Sequence, residues 1–266
     1  MDFSKVIIMT DLDGTLLTDD KRILQKDLDA VDRFRKGGGL FTVATGRGYA
    51  MARRIIEQLR LNMPAVIFNG ASVYDFRRSK PLWNCMIEDS AYDYIPMLIK
   101  EFPDLGVEIL SEQRVYVPYA NQVIYDHLAL EQLDGVEIPF EDVPKGCFKM
   151  LLGYPKEKIE LLMDFARKNC SKGVNWVHSA PMYFEMLPKG ISKAEGFKKL
   201  LEITGNTDKF TVAAGDYGND YAMIKAADFG VAVANAQDEV KSAAKRIVCD
   251  NNSGAMSEII DIIEKL

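Results

Sequence analysis

Histidine is nearly absent: His127 and His178 are the only two in 266 residues. A multi-histidine zinc site or a His-based nucleophile triad is therefore not expected. Cysteine is scarce too, and Cys85, Cys147, Cys170 and Cys249 show no metal or redox spacing, which suits a reducing cytoplasm. No apolar run approaches the eighteen or so residues of a membrane span. Near the N-terminus the run Val6-Ile7-Ile8-Met9 is short and interrupted by Asp11, so a signal peptide is not expected either. An excess of basic charge is also missing: 33 Lys and Arg against 39 Asp and Glu leave a net −6, which argues against a nucleic-acid partner. Internal repeats and low-complexity tracts are absent. What remains is a soluble globular chain, long enough for one large domain or two smaller ones. Nothing in it marks an oligomeric state.

Against these absences one stretch stands out, Asp11-Leu12-Asp13-Gly14-Thr15, placed directly after that apolar run. The run is too continuous for alternation and too short for a helix, so it predicts a buried strand. Gly14 and Thr15 predict a turn after it. Such a strand ends at the C-terminal edge of a parallel sheet, where open α/β folds place their ligands.

The same rhythm continues. Residues 18–21 predict a loop or small flap, and 25–36 a helix stopped by Gly37-Gly38-Gly39. A buried strand over 40–44 ends in Thr45-Gly46-Arg47-Gly48, a helix covers 49–61, and a third strand over 65–68 ends in the turn signal Asn69-Gly70. Two strand–helix–strand units in succession imply parallel pairing with right-handed crossovers. From about residue 81 to 188 the rhythm changes to hairpin-like segments. Helices are expected over 90–102, despite Pro96, and over 155–169, and strands over 107–110, 115–117, 147–152, 174–178 and 183–187. This stretch predicts an inserted α+β module, a separate sheet with its helices on one face. From Ser192, an N-cap with Glu195 at the capping-box position, the first rhythm resumes. Its next strand, 210–214, ends in Gly215-Asp216-Tyr217-Gly218-Asn219-Asp220. The expected fold is α/β, a doubly wound parallel sheet formed by residues 1–80 and 189–266, with the α+β module of 81–188 inserted.

Four polar clusters thus fall at core strand ends or at a core helix start: Asp11/Asp13, Thr45-Gly46-Arg47, Ser192-Lys193 and Asp216/Asn219/Asp220. Taken singly, the second reads equally as a strand-to-helix turn, Lys193 as a solvated helix lysine and Asn219-Asp220 as a capping pair. Taken together they converge on one sheet edge. Gathering four carboxylates there is unfavourable, since two charges about 4 Å apart repel by about 4 kcal/mol at an effective dielectric of 20. An all-oxygen site of that charge calls for a hard cation such as Mg²⁺. Thr45, the amides around Gly46, and Lys193 supply donors for a phosphate.

In order and in kind, these clusters resemble the four motifs of the haloacid dehalogenase-like superfamily. The Gly-Asp-x-x-Asn-Asp variant and the large insert are similar to its Cof-type subfamily with a type IIB cap. The resemblance implies a Mg²⁺-dependent phosphatase that forms an aspartyl-phosphate on a small phosphorylated metabolite, sugar phosphates first. It implies that Asp11 is the nucleophile and Asp13 the general acid/base, and that Thr45, Gly46, Lys193 and Asn219 bind the phosphoryl group. Asp216 would ligate the metal with the Asp11 carboxylate and the Asp13 backbone carbonyl, and Asp220 would support it. Tyr217 and Ala194 stand where small Ser and Gly are frequent in the family. Type IIB caps are implied to select the leaving group, which makes His178, Tyr183 and Glu185, just before the chain returns to the core, candidates for substrate contact. A phosphomutase using the same aspartyl-phosphate chemistry and a non-catalytic phospho-acceptor module are the alternatives.

Overall fold

The computed structural model describes residues 1–112 and 114–266. The chain divides into two compact units, one formed by Met1–Gly46, Ala52–Trp83 and Ser192–Leu266, the other by Arg47–Met51 and Asn84–Ile191.

The first unit begins with β1 (Val6–Thr10), α1 (Gln25–Lys36), β2 (Leu40–Val43) and α2 (Tyr49–Leu59), whose first residues 49–51 are grouped with the second unit. β3 (Ala65–Ile67), β4 (Ser72–Asp75) and β5 (Lys80–Asn84) follow. All five positions of β1 are buried, which requires cover on both faces of the sheet. The expected third strand forms as β3 and lies parallel to the end of β2, but its ladder is with β4, a pairing outside that expectation. β3 runs antiparallel to β4 in a separate three-stranded sheet, and a single parallel bridge, Ala44 to Val66, ties it to the end of β2. The reason is local: Phe68 and Asn69 take positive φ (52° and 54°), so the chain reverses at Asn69-Gly70 and pairs back on itself.

The second unit contains α3 (Tyr94–Glu101), β6 (Gly106–Leu110), β7 (Val115–Tyr119), α4 (Gln122–Glu131), β8 (Gly135–Glu137), β9 (Lys149–Gly153), α5 (Ile159–Asn169), β10 (Val174–Ala180) and β11 (Tyr183–Pro188). Pro96 sits in the first turn of α3, where its missing N–H has no intrahelical partner to lose. The six strands form one sheet in the order β10-β11-β9-β6-β7-β8. Val107, Ile109, Met150, Leu152, Phe184 and Met186 face α3 and α5 and build the core with Ile95, Leu98, Leu162 and Ala166.

The expectation of helices on one face alone is corrected by α4, which sequence reading left without an element. Its Ile124 lies against Gly106 and Gly153, and its His127 ring nitrogen Nδ1 is 2.8 Å from Glu108, all on the opposite face of the sheet. Asn121 caps this helix by accepting from the Ile124 N–H (2.9 Å).

The chain then completes the first unit with α6 (Lys193–Thr204), β12 (Phe210–Gly215), α7 (Tyr221–Ala226), β13 (Phe229–Val233), α8 (Asp238–Ala243), β14 (Arg246–Val248) and α9 (Ala255–Lys265). Its main sheet has the order β14-β13-β12-β1-β2, with every pair parallel. Phe197 and Leu200 of α6 and Met223 of α7 pack on the Ile7/Met9 face, and α1 packs against α9. From β1 the strand order runs one way to β2 and the other way to β12, so the topological switch point lies at β1. Among the described residues, no helix is long and apolar enough to cross a membrane.

Candidate active site

Three neighbouring parallel strands deliver the polar clusters of the first unit. β1 ends at Thr10 and hands on to Asp11; β2 ends at Val43, two residues before Thr45; β12 ends at Gly215, next to Asp216. The register fixes how far each reaches, with Thr10 opposite both Val43 and Ala214. The Asp11 N–H continues the ladder by donating to the Ala214 carbonyl (2.9 Å), which leaves the Asp11 side chain just beyond the strand end.

Lys193 comes from the first turn of α6. Ser192 caps that helix, its hydroxyl accepting from the Glu195 N–H (3.2 Å), and this turns the lysine at the helix start onto the strand ends. There Lys193 Nζ lies 2.7 Å from Asp11 Oδ1 and 2.7 Å from Asp220 Oδ1, with only 1% of its side chain exposed. Asp220 is fully buried, and its second oxygen, Oδ2, accepts the N–H groups of Asp216 (3.0 Å) and Tyr217 (3.2 Å). Both oxygens of Asp220 are thus occupied by donors. Asp216 is held differently: its Oδ1 accepts the Thr15 hydroxyl (2.7 Å), and its Oδ2 lies against Gly14. Gly14 has φ +76°, and a Cβ there would stand 2.5 Å from Asp216 Oδ2, so this position excludes a side chain on two counts.

The electrostatics follow from burial. Loss of water raises the Asp11 carboxyl well above the carboxylate range; Lys193 opposes this, while Asp220, Asp216 and Asp13 reinforce it. Burial, with Asp220 beside it, pushes Asp216 up to about 7 against the Thr15 hydrogen bond. Burial would lower Lys193, but Asp11 and Asp220 outweigh it and keep the ammonium charged, above its ordinary value. One lysine against Asp11, Asp216 and Asp220 leaves an excess of buried negative charge. Oxygen atoms of these three carboxylates lie within 4.8 Å of one another, a donor set and spacing that fit a hard divalent cation.

The remaining expected residues are placed as follows. Asp13, about one-third exposed, accepts from Lys21 Nζ at 2.7 Å. Thr45 is buried; its N–H donates to the Val66 carbonyl (2.9 Å) and its carbonyl accepts the Asn69 N–H (2.9 Å). Asn219 Nδ2 donates to Asn69 Oδ1 (3.1 Å), and the Asn69 amide also lies over Gly46. Asn69, 1% exposed, therefore ties Thr45, Gly46 and Asn219 together, in addition to the turn that Asn69-Gly70 signals.

His178, Tyr183 and Glu185 belong to the second unit. Cross-strand register puts His178 opposite Phe184 on the α5 side of the sheet, where burial lowers its pKa and Glu160 and Arg167 are its charged neighbours. Tyr183 and Glu185 lie on the other face. Glu185 is 3% exposed and engaged by Lys149 (3.0 Å) and the Ser179 hydroxyl (2.8 Å). Tyr183 meets the His127 ring edge-on, with centroids 4.9 Å apart, and burial pushes its hydroxyl up to about 12.

Comparison with known proteins places this geometry. The family described as haloacid dehalogenase-like hydrolase matches residues 8–260. The chain is similar to the 5-amino-6-(5-phospho-D-ribitylamino)uracil phosphatase YitU of Bacillus subtilis, 26% identical over 98% of both chains. It is likewise similar to the pyridoxal phosphate phosphatase YbhA of Escherichia coli, 26% identical over 96% of this chain and 97% of that one. Among solved structures, a haloacid dehalogenase-like hydrolase from Bacteroides thetaiotaomicron superposes with a TM-score of 0.86 at 24% identity, over 97% of this chain and 98% of that chain, a likeness of fold.

Proposed function

The chain belongs to the haloacid dehalogenase-like hydrolases, and on that premise we propose that it is a Mg²⁺-dependent phosphatase of small organic phosphate monoesters, sugar phosphates first. The observation that carries this reading is Lys193 bridging Asp11 and Asp220 beside Asp216 at the switch point of the sheet. Two relatives named for hydrolysing phosphorylated small molecules support the substrate class.

Asp11 and Asp216 would hold the cation, with the Asp13 backbone carbonyl. Asp220, whose oxygens already accept from Lys193 and two amides, supports the site from behind. Bound there, Mg²⁺ supplies neutralisation of phosphoryl and carboxylate charge. The protein's own groups do the rest. Lys193 favours the ionised form of Asp11 against its burial, aims it, and offers charge to a phosphoryl oxygen. Thr45, the Gly46 amide and Asn219 donate to the others, on a platform fixed by Asn69. An Asp11 oxygen attacks phosphorus, and the bond from phosphorus to the leaving oxygen breaks as Asp13 gives that oxygen its proton. Asp13 then takes a proton from water, the water oxygen attacks the same phosphorus, and the Asp11–phosphorus bond breaks to give inorganic phosphate.

Phosphate release from a panel of phosphorylated metabolites, with and without chelator, tests this reading. Turnover is expected to require Mg²⁺ and to vanish in Asp11→Asn with the fold retained. Hydrolysis that persists in Asp11→Asn or under chelation would reject the assignment. Return of the phosphoryl group to a sugar bisphosphate, without free phosphate, would instead identify a mutase.

A further inference from the structure

Asp13 sits outside regular structure, on the stretch between β1 and α1, residues 12–24. Locally this stretch is two turns. The N–H groups of Thr15, Leu16 and Leu17 converge on the Leu12 carbonyl at 3.4, 3.1 and 2.7 Å. Residues 18–22 are closed by Thr18 N–H donating to the Arg22 carbonyl (2.9 Å) and Lys21 N–H to the Thr18 carbonyl (2.8 Å). Neither turn by itself fixes where the stretch lies relative to the sheet.

Buried Leu12, Leu16 and Leu17 and the Thr15–Asp216 hydrogen bond anchor the stretch from within, and two asparagines from the far side of the sheet hold its backbone. Asn235, two residues past β13, donates its Nδ2 to the Gly14 carbonyl at 2.7 Å. Asn251, three residues past β14 and 2% exposed, donates its backbone N–H to Asn235 Oδ1 (3.1 Å). Its own Nδ2 donates to the Leu17 carbonyl (3.0 Å) and to Asp19 Oδ1 (3.0 Å). Asn252 adds a reciprocal pair, Nδ2 to Asp19 Oδ2 (3.0 Å) and Asp19 N–H to Asn252 Oδ1 (3.1 Å). The residue type is dictated by this pattern. Asn235 must accept from Asn251 and donate to Gly14 with one short side chain; aspartate cannot donate, and alanine can do neither. The contacts fall at Gly14, Leu17 and Asp19, so they hold the first turn, residues 12–17, from the residue directly after Asp13 to its end.

We infer that Asn235 and Asn251 are positioning residues for the phosphoryl-transfer site, a clamp that holds the Asp13-bearing turn beside Asp11 and Asp216. The inference rests on the phosphatase reading proposed above. Neither amide touches the reacting atoms; they act through the backbone that carries Asp13. A clamp of this kind matters most where the proton delivered by Asp13 matters most, in expelling a poor leaving group.

The experiment uses the full-length protein with Mg²⁺ and compares Asn251→Ala and Asn235→Ala on two substrates. An alkyl phosphate needs its leaving oxygen protonated, while 2,4-dinitrophenyl phosphate leaves as the anion. For each variant kcat/KM, which reports phosphorylation of Asp11 and not the later hydrolysis that both esters share, should fall about ten- to a hundredfold on the alkyl ester and by less than about threefold on the dinitrophenyl ester, since proton transfer contributes on the order of 10²–10⁴. Amide exchange over residues 14–22 should accelerate in both variants while β1 and β12 keep their protection. Asn235 is exposed, so its variant tests the clamp even where loss of buried Asn251 impairs folding. Equal losses on both substrates, or unchanged exchange over 14–22, would overturn the inference. Wild-type protein inert on every phosphate ester would overturn the function itself, a separate and recognisable outcome.

Discussion

In the metal-free protein the buried carboxylates cost stability as pH rises, and Asp216 isolates the effect. Its carboxyl is raised from 3.8 to about 7, chiefly by burial and then by Asp220. A group whose folded pKa lies above its unfolded one binds more protons when folded, so its stabilising contribution is complete below about pH 4 and lost as pH rises toward 7. At roughly 1.4 kcal/mol per unit, the two units between pH 5 and 7 correspond to about 3 kcal/mol. Asp216→Asn keeps the shape and an oxygen for the Thr15 hydroxyl but removes the titration. In chelator, urea denaturation should therefore find the variant gaining about 3 kcal/mol on wild type between pH 5 and pH 8. Adding Mg²⁺ at pH 8 should reverse the order, because the cation binds the ionised carboxylate of the folded state and stabilises it by mass action, about 2.7 kcal/mol at a hundredfold excess over Kd. A stability difference independent of pH in chelator would refute the electrostatic reasoning. Equal Mg²⁺ stabilisation of both proteins would refute Asp216 as a ligand.

Three further outcomes are expected. Gly14→Ala, which places a methyl group 2.5 Å from Asp216 Oδ2 at φ +76°, should abolish measurable Mg²⁺ stabilisation; calorimetric binding as tight as wild type would contradict the close approach. Lys149→Met leaves Glu185 buried without its lysine and should destabilise by about 3–5 kcal/mol, whereas Lys149→Met with Glu185→Leu should recover most of the loss. A double variant as unstable as the single one, by urea midpoint, would show that packing rather than charge sets the cost. The Cys147 thiol is 1% exposed and pushed up to about 12 by burial, so at pH 8 it should resist a disulfide reagent until the protein unfolds; labelling of native protein at the rate of a free thiol would disprove its burial.

The elements legible in the sequence were those whose residues answer to one partner surface. β1 and β12 are continuous apolar runs, and α1 and α5 repeat their apolar positions every three or four residues, so period alone identifies them. The elements that escaped answer to two environments. β4, Ser72–Asp75, is buried throughout but contains a serine, a tyrosine and an aspartate, and α4 has only a weak apolar stripe because its buried face includes His127, which meets Glu108. The third strand was legible as a strand parallel to β2, but its antiparallel ladder with β4 was decided by the left-handed turn at 68–69, which apolar periodicity does not encode.

The site divides along the same line. Carboxylates and a lysine after buried strands announce charge that needs a counterion, and so Asp11, Lys193 and Asp216 could be found from residue type and place. Amides announce nothing, because an asparagine in a loop is ordinary turn chemistry. Asn69, Asn235 and Asn251 acquire their meaning from partners 150, 221 and 234 residues away: Asn69 accepts from the Asn219 amide, and Asn235 and Asn251 donate to the Gly14 and Leu17 carbonyls. The same asymmetry bears on Glu185. A charged residue before the return to the core reads as available for a ligand, but in the folded unit Lys149 and Ser179 already engage its carboxylate. Recruiting it to a substrate would first require breaking a buried ion pair, at several kcal/mol. Tyr183, whose polar tip is not committed to an ion pair in this way, is the better candidate of the two on that face, and Tyr183→Phe should shift KM among phosphorylated substrates more than Glu185→Gln shifts it without loss of stability.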